Sequence, residues 1–240
     1  MRRLVAAREL LDGDLADTTT LDGNLRDLVR VNRRFGGTDM SLRALRSLVA
    51  AADAGDPGVR ALRVLDVGTG AADIPLAIAD ASGPWRSVGV TAVDSRVEIL
   101  DSARRVSPAL AHRDDLALAI ADGRALPYPD GAFDVAHASL VLHHLGEDDA
   151  VRFLRELARV AGRGVVINDL QRGVLEWLGA WFVLHAMTRN RFTLHDGPLS
   201  VRRAYTRPEV GRLLRRAGLR PVAWHLAFAG HRWAVAAVAE

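Results

Sequence analysis

The sequence predicts an α/β fold: a seven-stranded, Rossmann-like sheet that is mostly parallel, has an antiparallel last strand and is flanked by helices. Two observations carry this prediction. Short apolar segments alternate with amphipathic helical segments from residue 64 to residue 218, as they do in a parallel sheet with crossover helices. Two alternating segments, 219–228 and 232–239, then follow each other around a short turn, as in an antiparallel hairpin.

Ahead of the sheet, segment 1–58 predicts a helical extension. An amphipathic pattern begins at Leu4–Leu15, a turn-rich stretch covers Asp17–Asn24, and helical spacing resumes on both sides of Gly36-Gly37. Residues Ala54–Gly58 then predict a loop into the core, which begins at residue 59.

The first strand of the core leads into a glycine turn. The apolar run Val64–Val67 is typical of a buried parallel strand, and Gly68 and Gly70 let a ligand approach the backbone without interference from a Cβ atom. A dinucleotide fingerprint has a third glycine where this chain has Asp73. The carboxylate of Asp66, just before the turn, would repel a pyrophosphate but suits a cation. The turn therefore favours a ribose-bearing, positively charged cofactor without phosphates.

The next strands each end close to an acidic or small polar residue. The second, 87–93, is followed by Asp94, and the third, 115–121, by Asp122-Gly123. The fourth, 133–138, leads into Ser139. Because open α/β sheets bind ligands at the carboxyl ends of their strands, these positions are candidate ligand contacts.

These stretches carry a family resemblance. Residues 64–79 resemble motif I of class I S-adenosylmethionine-dependent methyltransferases, and Asp94, 24 residues after Gly70, matches the family's acidic residue after the second strand. Residues 121–135 resemble the ubiquinone/menaquinone-like, small-molecule branch of that family. The resemblance implies S-adenosyl-L-methionine as cofactor and S-adenosyl-L-homocysteine as product.

It also implies a set of cofactor contacts at the matching positions, which are Asp66, Gly68, Thr69, Gly70, Asp73, Asp94, Ser95, Asp122, Gly123, Ala138 and Ser139. Asp94 would accept hydrogen bonds from both ribose hydroxyls, or else cap the helix that follows it. Asp122 would bind the adenine amino group, or else close a simple turn. Ala138 and Ser139 would lie near the methionine portion.

Four residues are candidates for catalysis. His143 and His144 are adjacent on a predicted helical turn, so they point about 100° apart and at most one faces the acceptor. A structural role is favoured for this pair, and metal binding is disfavoured because neighbouring side chains on a helix are three or four residues apart; no metal is predicted. Asp169 ends the fifth strand, 165–167, and is a base, an orienting acceptor or a helix cap. His195, beside Asp196, is a further candidate base.

Two segments are expected to cover the site. In similar methyltransferases, helices ahead of the core close over cofactor and acceptor, which would make 1–58 a lid with 32–35 near the cofactor; the alternative is a packing appendage. The aromatic-rich insertion 171–204 would cover the acceptor as a roof, and its lining favours a flat or lipophilic molecule. A dimer interface or core packing explains this insertion equally well.

Composition excludes several classes of protein. All 32 basic residues are arginine, which inflates the sequence pI, yet the formal net charge is only +3 and no block of like charge appears, so nucleic-acid binding is not expected. The chain has no cysteine, which excludes disulfides and thiolate metal sites. The N-terminus has no apolar signal core, and the longest apolar stretch, 174–187, is too short to span a bilayer. These features predict a cytoplasmic protein without a membrane span.

The expected function is O-methylation of a small phenolic or polyketide-like acceptor in secondary metabolism. C-methylation of a quinone-type precursor comes next. An NAD(P)-dependent oxidoreductase and a non-catalytic cofactor-binding module remain as alternatives from other classes, and a homodimer stays open.

Overall fold

A computed structural model describes residues 1–52, 61–83 and 85–240. The loop expected at Ala54–Gly58, and the boundary between lid and core that it contains, lie outside these residues. The seven strands are β1 (Leu62–Val67), β2 (Val88–Asp94), β3 (Leu116–Ile120), β4 (Phe133–Ser139), β5 (Ala161–Leu170), β6 (Leu219–Leu226) and β7 (Arg232–Ala239).

The strands form one sheet in the order β3-β2-β1-β4-β5-β7-β6. Strand β7 lies between β5 and β6 and is antiparallel to both, whereas β3, β2, β1, β4 and β5 are parallel to one another. The predicted seven-stranded sheet with an inserted antiparallel last strand is thereby confirmed. Because β1 lies between β2 and β4, the carboxyl ends of these three strands form one continuous edge.

Apolar strand residues pack on both faces of the sheet. On one face, Leu65, Val67 and Ile167 join the core beneath α5 (Glu147–Val160) and α8 (Arg207–Arg216). On the other, Val64 and Val90 join the core beneath α2 (Gly37–Ala52). Burial on both faces explains why the central strands are continuous apolar runs rather than alternating ones.

The remaining helices are α1 (Thr18–Arg34), α3 (Asp73–Ala79), α4 (Val97–Val106), α6 (Val174–Met187) and α7 (Arg191–Arg203). The expected helical pattern at Leu4–Leu15 is wrong: within that stretch only Leu10–Asp12 is regular, as a single 3₁₀ turn. The expected turn at Asp17–Asn24 is wrong as well, because the Asp17 side chain caps the helix by accepting from the Thr20 N–H at 3.0 Å. A cap signal was therefore mistaken for a turn.

Strand β5 is longer than expected. The fifth strand was predicted at 165–167, but α5 ends at Val160 and the strand runs from Ala161 to Leu170. Gly164 has φ +143°, and a Cβ atom there would overlap the Ala237 carbonyl oxygen of β7, so glycine permits this close pairing. As a result, Asp169 lies inside the strand rather than at its tip.

None of the helices in the described ranges is both long and apolar enough to cross a lipid bilayer.

Candidate active site

A cavity of about 380 Å³ opens at the carboxyl ends of β1, β2 and β4. Core residues and N-terminal residues line it together: Leu11, Asp12, Leu25, Leu28, Asn32, Asp66, Gly68, Thr69, Gly70, Ala71, Asp73, Ile74, Asp94, Ser95, Arg96, Ile99, Ser139, Leu140, Val141 and His144. Its size is that of a typical small-molecule site. Eight of the eleven predicted cofactor contacts are among these residues; Asp122, Gly123 and Ala138 are not.

The glycine turn forms the floor of this cavity. Gly68 and Gly70 have φ angles of +74° and +54°, which favour glycine at both positions. A Cβ atom on Gly68 would overlap the Val141 side chain, whereas one on Gly70 would have no heavy atom within 4 Å. Gly68 is therefore needed for packing, and Gly70 leaves open space that faces the cavity.

Asp94 is held against this turn at the end of β2. Its carboxylate accepts hydrogen bonds from the Gly70 N–H at 3.3 Å and from the Arg96 N–H at 3.2 Å. Burial raises the pKa of Asp94, and the two backbone donors offset this only in part. The predicted cap is wrong, because the N-cap residue of α4 is Arg96 and no side chain caps the helix; the ribose contact stays a prediction.

Two more carboxylates lie in the cavity wall. One oxygen of Asp66 is 2.5 Å from Nδ1 of the buried His137, which ties it to the core. Asp73 accepts a bond from the Asn32 side-chain amide at 3.2 Å, and burial raises its pKa. Thr69 is buried, and its hydroxyl oxygen has no hydrogen-bond partner within the described structure.

Strand order fixes the long axis of the cavity. The ends of β2 and β4 are separated by two strand spacings, about 9–10 Å, with the glycine turn of β1 between them. Asp94 lies on the β2 side and Ser139 on the β4 side. Asp122 lies beyond β3, and its exposed carboxylate pairs with the Arg124 guanidinium at 2.8 Å. Gly123 is in close contact with Phe153 and Val67.

On the β4 side, the chain forms a 3₁₀ turn, Leu142–His144, which stacks the two histidine rings with their centroids 4.3 Å apart. His143 is buried: its Nδ1 is 2.7 Å from Asp169 and its Nε2 is 3.5 Å from Glu9. Burial lowers the pKa of His143, but Asp169 and Glu9 outweigh that effect and raise it to about 10. The two rings approach each other with their planes tilted by 33°, although successive residues of a 3₁₀ turn project about 120° apart.

His144 is the histidine that reaches the cavity. Its Nδ1 is 3.0 Å from Asp12 and its Nε2 is 3.7 Å from Glu9, so both nitrogens face carboxylates. Burial raises the pKa of Asp12, but hydrogen bonds and charge from His144 and Arg203 lower it well below its usual range. Asp12 is therefore a weak base.

The other two catalytic candidates lie elsewhere. Asp169 faces His143 rather than the cavity: one oxygen accepts from the His143 backbone N–H at 3.0 Å, and the other accepts from the Leu170 N–H at 2.7 Å. His195 lies on α7 with its Nδ1 2.7 Å from Asp196, and it is not among the described residues that line the cavity.

Comparison with known proteins agrees with this geometry. Residues 64–164 match the family model described as "Methyltransferase domain". This match, over 101 of the 240 residues, supports a class I S-adenosylmethionine-dependent methyltransferase domain. The matched region begins in β1 and ends in β5, so this methyltransferase domain includes the glycine turn, Asp94 and both histidines of the 3₁₀ turn.

Relatives cover the domain but only part of the chain. The ubiquinone/menaquinone biosynthesis C-methyltransferase UbiE of Geobacter sp. (strain M21) is 32% identical over 109 residues, which is 45% of this chain and 45% of that protein. The alignment thus spans less than half the length of this relative.

Two solved structures share the fold. Magnesium protoporphyrin IX methyltransferase from Synechocystis PCC 6803 with bound S-adenosylmethionine has a TM-score of 0.57 and 16% identity, covering 88% of this chain and 84% of that one. Mitomycin 7-O-methyltransferase has a TM-score of 0.56 and 21% identity, covering 93% and 60%. At these identities the likeness establishes the fold alone.

The methyltransferase cavity has features that fit the cofactor. The Asp94 carboxylate can accept from a nucleoside hydroxyl, and the open space at Gly70 lets a ligand approach the backbone.

N-terminal residues form one wall of the cavity. Leu11, Asp12 and three α1 residues, Leu25, Leu28 and Asn32, line it, whereas none of the described lining residues comes from 171–204. Helix α6 instead exposes Trp181 and Phe182. The lining residues outside the core thus belong to the segment predicted as a lid, and none of the described ones belongs to the segment predicted as a roof; both roles stay predictions.

Sequence reasoning missed three residues near the site. Glu9 and Asp12 come from a segment that showed only a helical pattern. Arg232 of β7 is buried, and it donates to Asn168 at 2.6 Å, Asn32 at 2.9 Å and Ser139 at 2.8 Å. The antiparallel insertion of β7 brings this guanidinium to the β4 side, and no local pattern in the sequence signals that placement.

Proposed function

We propose that this chain transfers the methyl group of S-adenosylmethionine to an oxygen of a small aromatic or polyketide-like acceptor. One observation carries the proposal: a single cavity connects the glycine turn and Asp94 to a second wall made of apolar side chains and His144. A nucleoside cofactor and a flat acceptor can therefore meet within it.

The chain's residues orient the cofactor along the strand ends. Asp94 would accept from the ribose hydroxyls on the β2 side, and the methionine portion would extend towards Ser139 on the β4 side. Asp66 and Asp73 supply negative charge along this path, which suits a sulfonium. When bound, the cofactor supplies an electrophilic methyl group.

The acceptor would lie against the N-terminal cover. Leu11, Leu28 and Val141 provide apolar surface for a flat ring, with His144 and Asp12 at its edge. Closing this segment over the cavity would exclude water and hold the acceptor oxygen in line with the methyl group, so positioning supplies most of the rate acceleration.

The histidines hold the site in shape, because both nitrogens of each ring face carboxylates. In the reaction an oxygen–carbon bond forms, the carbon–sulfur bond breaks, and the acceptor proton leaves to solvent. A phenol, whose pKa is about 10, ionises far more readily than an alcohol and suits a site without a strong base.

C-methylation of a quinone-type precursor is the second candidate. It is favoured by the 32% identity to a C-methyltransferase, and an ionised phenol can also react at a ring carbon. An NAD(P)-dependent oxidoreductase is disfavoured, because Asp73 and Asp66 would face the pyrophosphate of that cofactor. The cytoplasmic location, the role in secondary metabolism and the homodimer stay predictions.

Methyl transfer can be tested with isotope-labelled S-adenosylmethionine and a panel of phenols, polyketide aromatics and hydroquinones, with products separated by mass spectrometry. The proposal predicts labelled O-methyl product from a phenol and loss of turnover in Asp94→Ala, with Asp101→Asn on the exposed face of α4 as the control. Binding of S-adenosylhomocysteine without transfer to any acceptor would identify a binding module, and labelled ring carbon would identify C-methylation.

A further inference from the structure

Three side chains from distant parts of the chain meet behind the cavity wall. Glu9 projects from the N-terminal segment towards His143 and His144 of the 3₁₀ turn. One potential ligand atom from each residue lies within 4.8 Å of the others. Glu9 and His143 are buried, and His144 reaches the cavity.

The two rings are oriented in the same way. Each has its Nδ1 next to a carboxylate, His143 at 2.7 Å from Asp169 and His144 at 3.0 Å from Asp12. Each then directs its Nε2 towards the same carboxylate, Glu9. Histidines that bind metal ions almost always donate their other ring N–H to a carboxylate, carbonyl or water, which fixes the tautomer and leaves a lone pair on the ligating nitrogen.

The distances to Glu9 distinguish a shared ion from direct hydrogen bonds. His143 Nε2 is 3.5 Å from Oε1, and His144 Nε2 is 3.7 Å from Oε2. Ordinary N–H···O bonds measure about 2.7–3.2 Å. Two ligands of one tetrahedral ion with bonds of about 2.0–2.2 Å are about 3.3–3.6 Å apart. The 3.5 Å pair falls within this range and the 3.7 Å pair lies 0.1 Å beyond it, whereas both are longer than direct hydrogen bonds.

Charge favours a cation at the same position. Within the described residues, the carboxylates of Glu9, Asp12 and Asp169 surround the rings, and one guanidinium, Arg203, contacts two of them, at 3.3 Å from Glu9 and 3.1 Å from Asp12. Buried carboxylates need compensation by cations. Either protons on both imidazole rings or a divalent ion between the rings would supply this positive charge.

We propose that Glu9, His143 and His144 bind a divalent transition-metal ion such as Zn²⁺ in the wall of the cofactor cavity. Two imidazoles and a carboxylate are a donor set for such ions, and three protein ligands leave a coordination position open, as in catalytic rather than structural sites. His144 and Asp12 line the cavity, so an ion held by His144 would lie next to the space in which the proposed acceptor binds. An acceptor hydroxyl bound to the ion would lose its proton more readily, because the ion would stabilise the oxyanion. This role rests on the proposed function, whereas ion binding does not.

Metal binding is tested on the full-length protein after treatment with a chelator and exchange into chelator-free buffer. Isothermal titration with Zn²⁺, and with Co²⁺ while following its visible absorption, measures stoichiometry and affinity. We expect one ion per chain and a tetrahedral-type Co²⁺ spectrum. Glu9→Gln and His144→Asn should each weaken Zn²⁺ binding at least tenfold, and Asp169→Asn, which acts through His143, should weaken it about 10–100-fold.

His195→Asn is the matched control, because His195 also pairs its Nδ1 with a carboxylate, that of Asp196, but lies outside the cluster. It should bind Zn²⁺ as the wild type does. Circular dichroism of each variant identifies any that do not fold. Absence of stoichiometric Zn²⁺ binding by the wild type, or equal affinity in folded Glu9→Gln, would overturn the proposal and identify the cluster as a pair of protonated histidines. Binding of S-adenosylhomocysteine is measured in a separate titration. It tests the proposed function whether or not the protein binds Zn²⁺.

Discussion

Asp169 binds His143 twice: one carboxylate oxygen accepts from the His143 backbone N–H at 3.0 Å, and the other lies 2.7 Å from the ring Nδ1. This pair joins β5 to the 3₁₀ turn at the end of β4 and fixes the orientation of the buried ring. Through that ring it also places Glu9 and the N-terminal segment over the cavity.

Breaking this buried pair should reduce stability strongly. We predict that Asp169→Asn lowers the free energy of unfolding by about 3–5 kcal/mol, because the amide cannot accept from both donors and leaves a buried group unpaired. Urea unfolding measures the change. Asp101→Asn, which removes an exposed ion pair with Arg104, should leave the midpoint unchanged. Equal midpoints for wild type and Asp169→Asn would show that the pair does not stabilise the turn.

The two glycines of the turn should respond differently to alanine. Gly68→Ala should lower stability, because its Cβ would overlap Val141, and the double variant Gly68→Ala/Val141→Ala should recover part of the loss. Gly70→Ala should lose only about 1–2 kcal/mol from its positive φ, but its Cβ would enter the cavity and weaken binding of S-adenosylhomocysteine. Thermal unfolding and titration calorimetry separate the two effects, and unchanged affinity in Gly70→Ala would show that the cofactor lies elsewhere.

Cofactor affinity should depend on pH through Asp94. Burial raises the pKa of this carboxyl, and ribose hydroxyls bind best to its ionised form. Affinity is therefore full above that pKa and falls as the pH decreases through it, at a higher pH than for an exposed aspartate, whose pKa is about 3.9. Titrations with S-adenosylhomocysteine from pH 8 downwards should show a decline in the wild type that begins at a higher pH than an exposed aspartate would give, and a weaker, flatter profile in Asp94→Asn. Parallel profiles for the two proteins would exclude Asp94 as the titrating group.

The N-terminal cover depends on Asp196 of α7. Its two oxygens accept from the backbone N–H groups of Leu10, at 2.7 Å, and Leu11, at 3.0 Å. We predict that Asp196→Ala speeds hydrogen exchange of these two amides and raises the KM for the acceptor more than it lowers kcat. Mass-spectrometric exchange at the peptide level checks the first effect. Unchanged exchange would mean that other contacts hold the segment.

Much of the fold was readable from the sequence, because each strand of the core is a local apolar run and the glycine turn of Gly68 and Gly70 is a local signal. Even the insertion of β7 followed from the resemblance. Asp17 shows the limit of local patterns, since an aspartate followed by threonines fits a turn and a helix cap equally well. Only the packed structure distinguishes them.

The residues at the strand ends were predictable from the sequence, whereas the contacts between the N-terminal segment and the 3₁₀ turn were not. Asp94 and Gly70 are close to the same strand ends, so topology alone brings them together. Glu9 and His143 are 134 residues apart in the sequence and meet only because the N-terminal segment packs on the finished core. Asp169 was expected at the cavity. No local signal in the sequence shows that β5 continues to Leu170 or that the Asp169 side chain contacts His143.

The central claim is that the glycine turn and Asp94 bind the nucleoside of S-adenosylmethionine, and titration calorimetry with S-adenosylhomocysteine, which carries the same nucleoside, tests it most directly. The account predicts one site per chain, an affinity at least tenfold weaker in Asp94→Ala, equivalent to about 1.4 kcal/mol, and no heat with NADH. An absence of binding by the wild type, or the same affinity in Asp94→Ala, would contradict it.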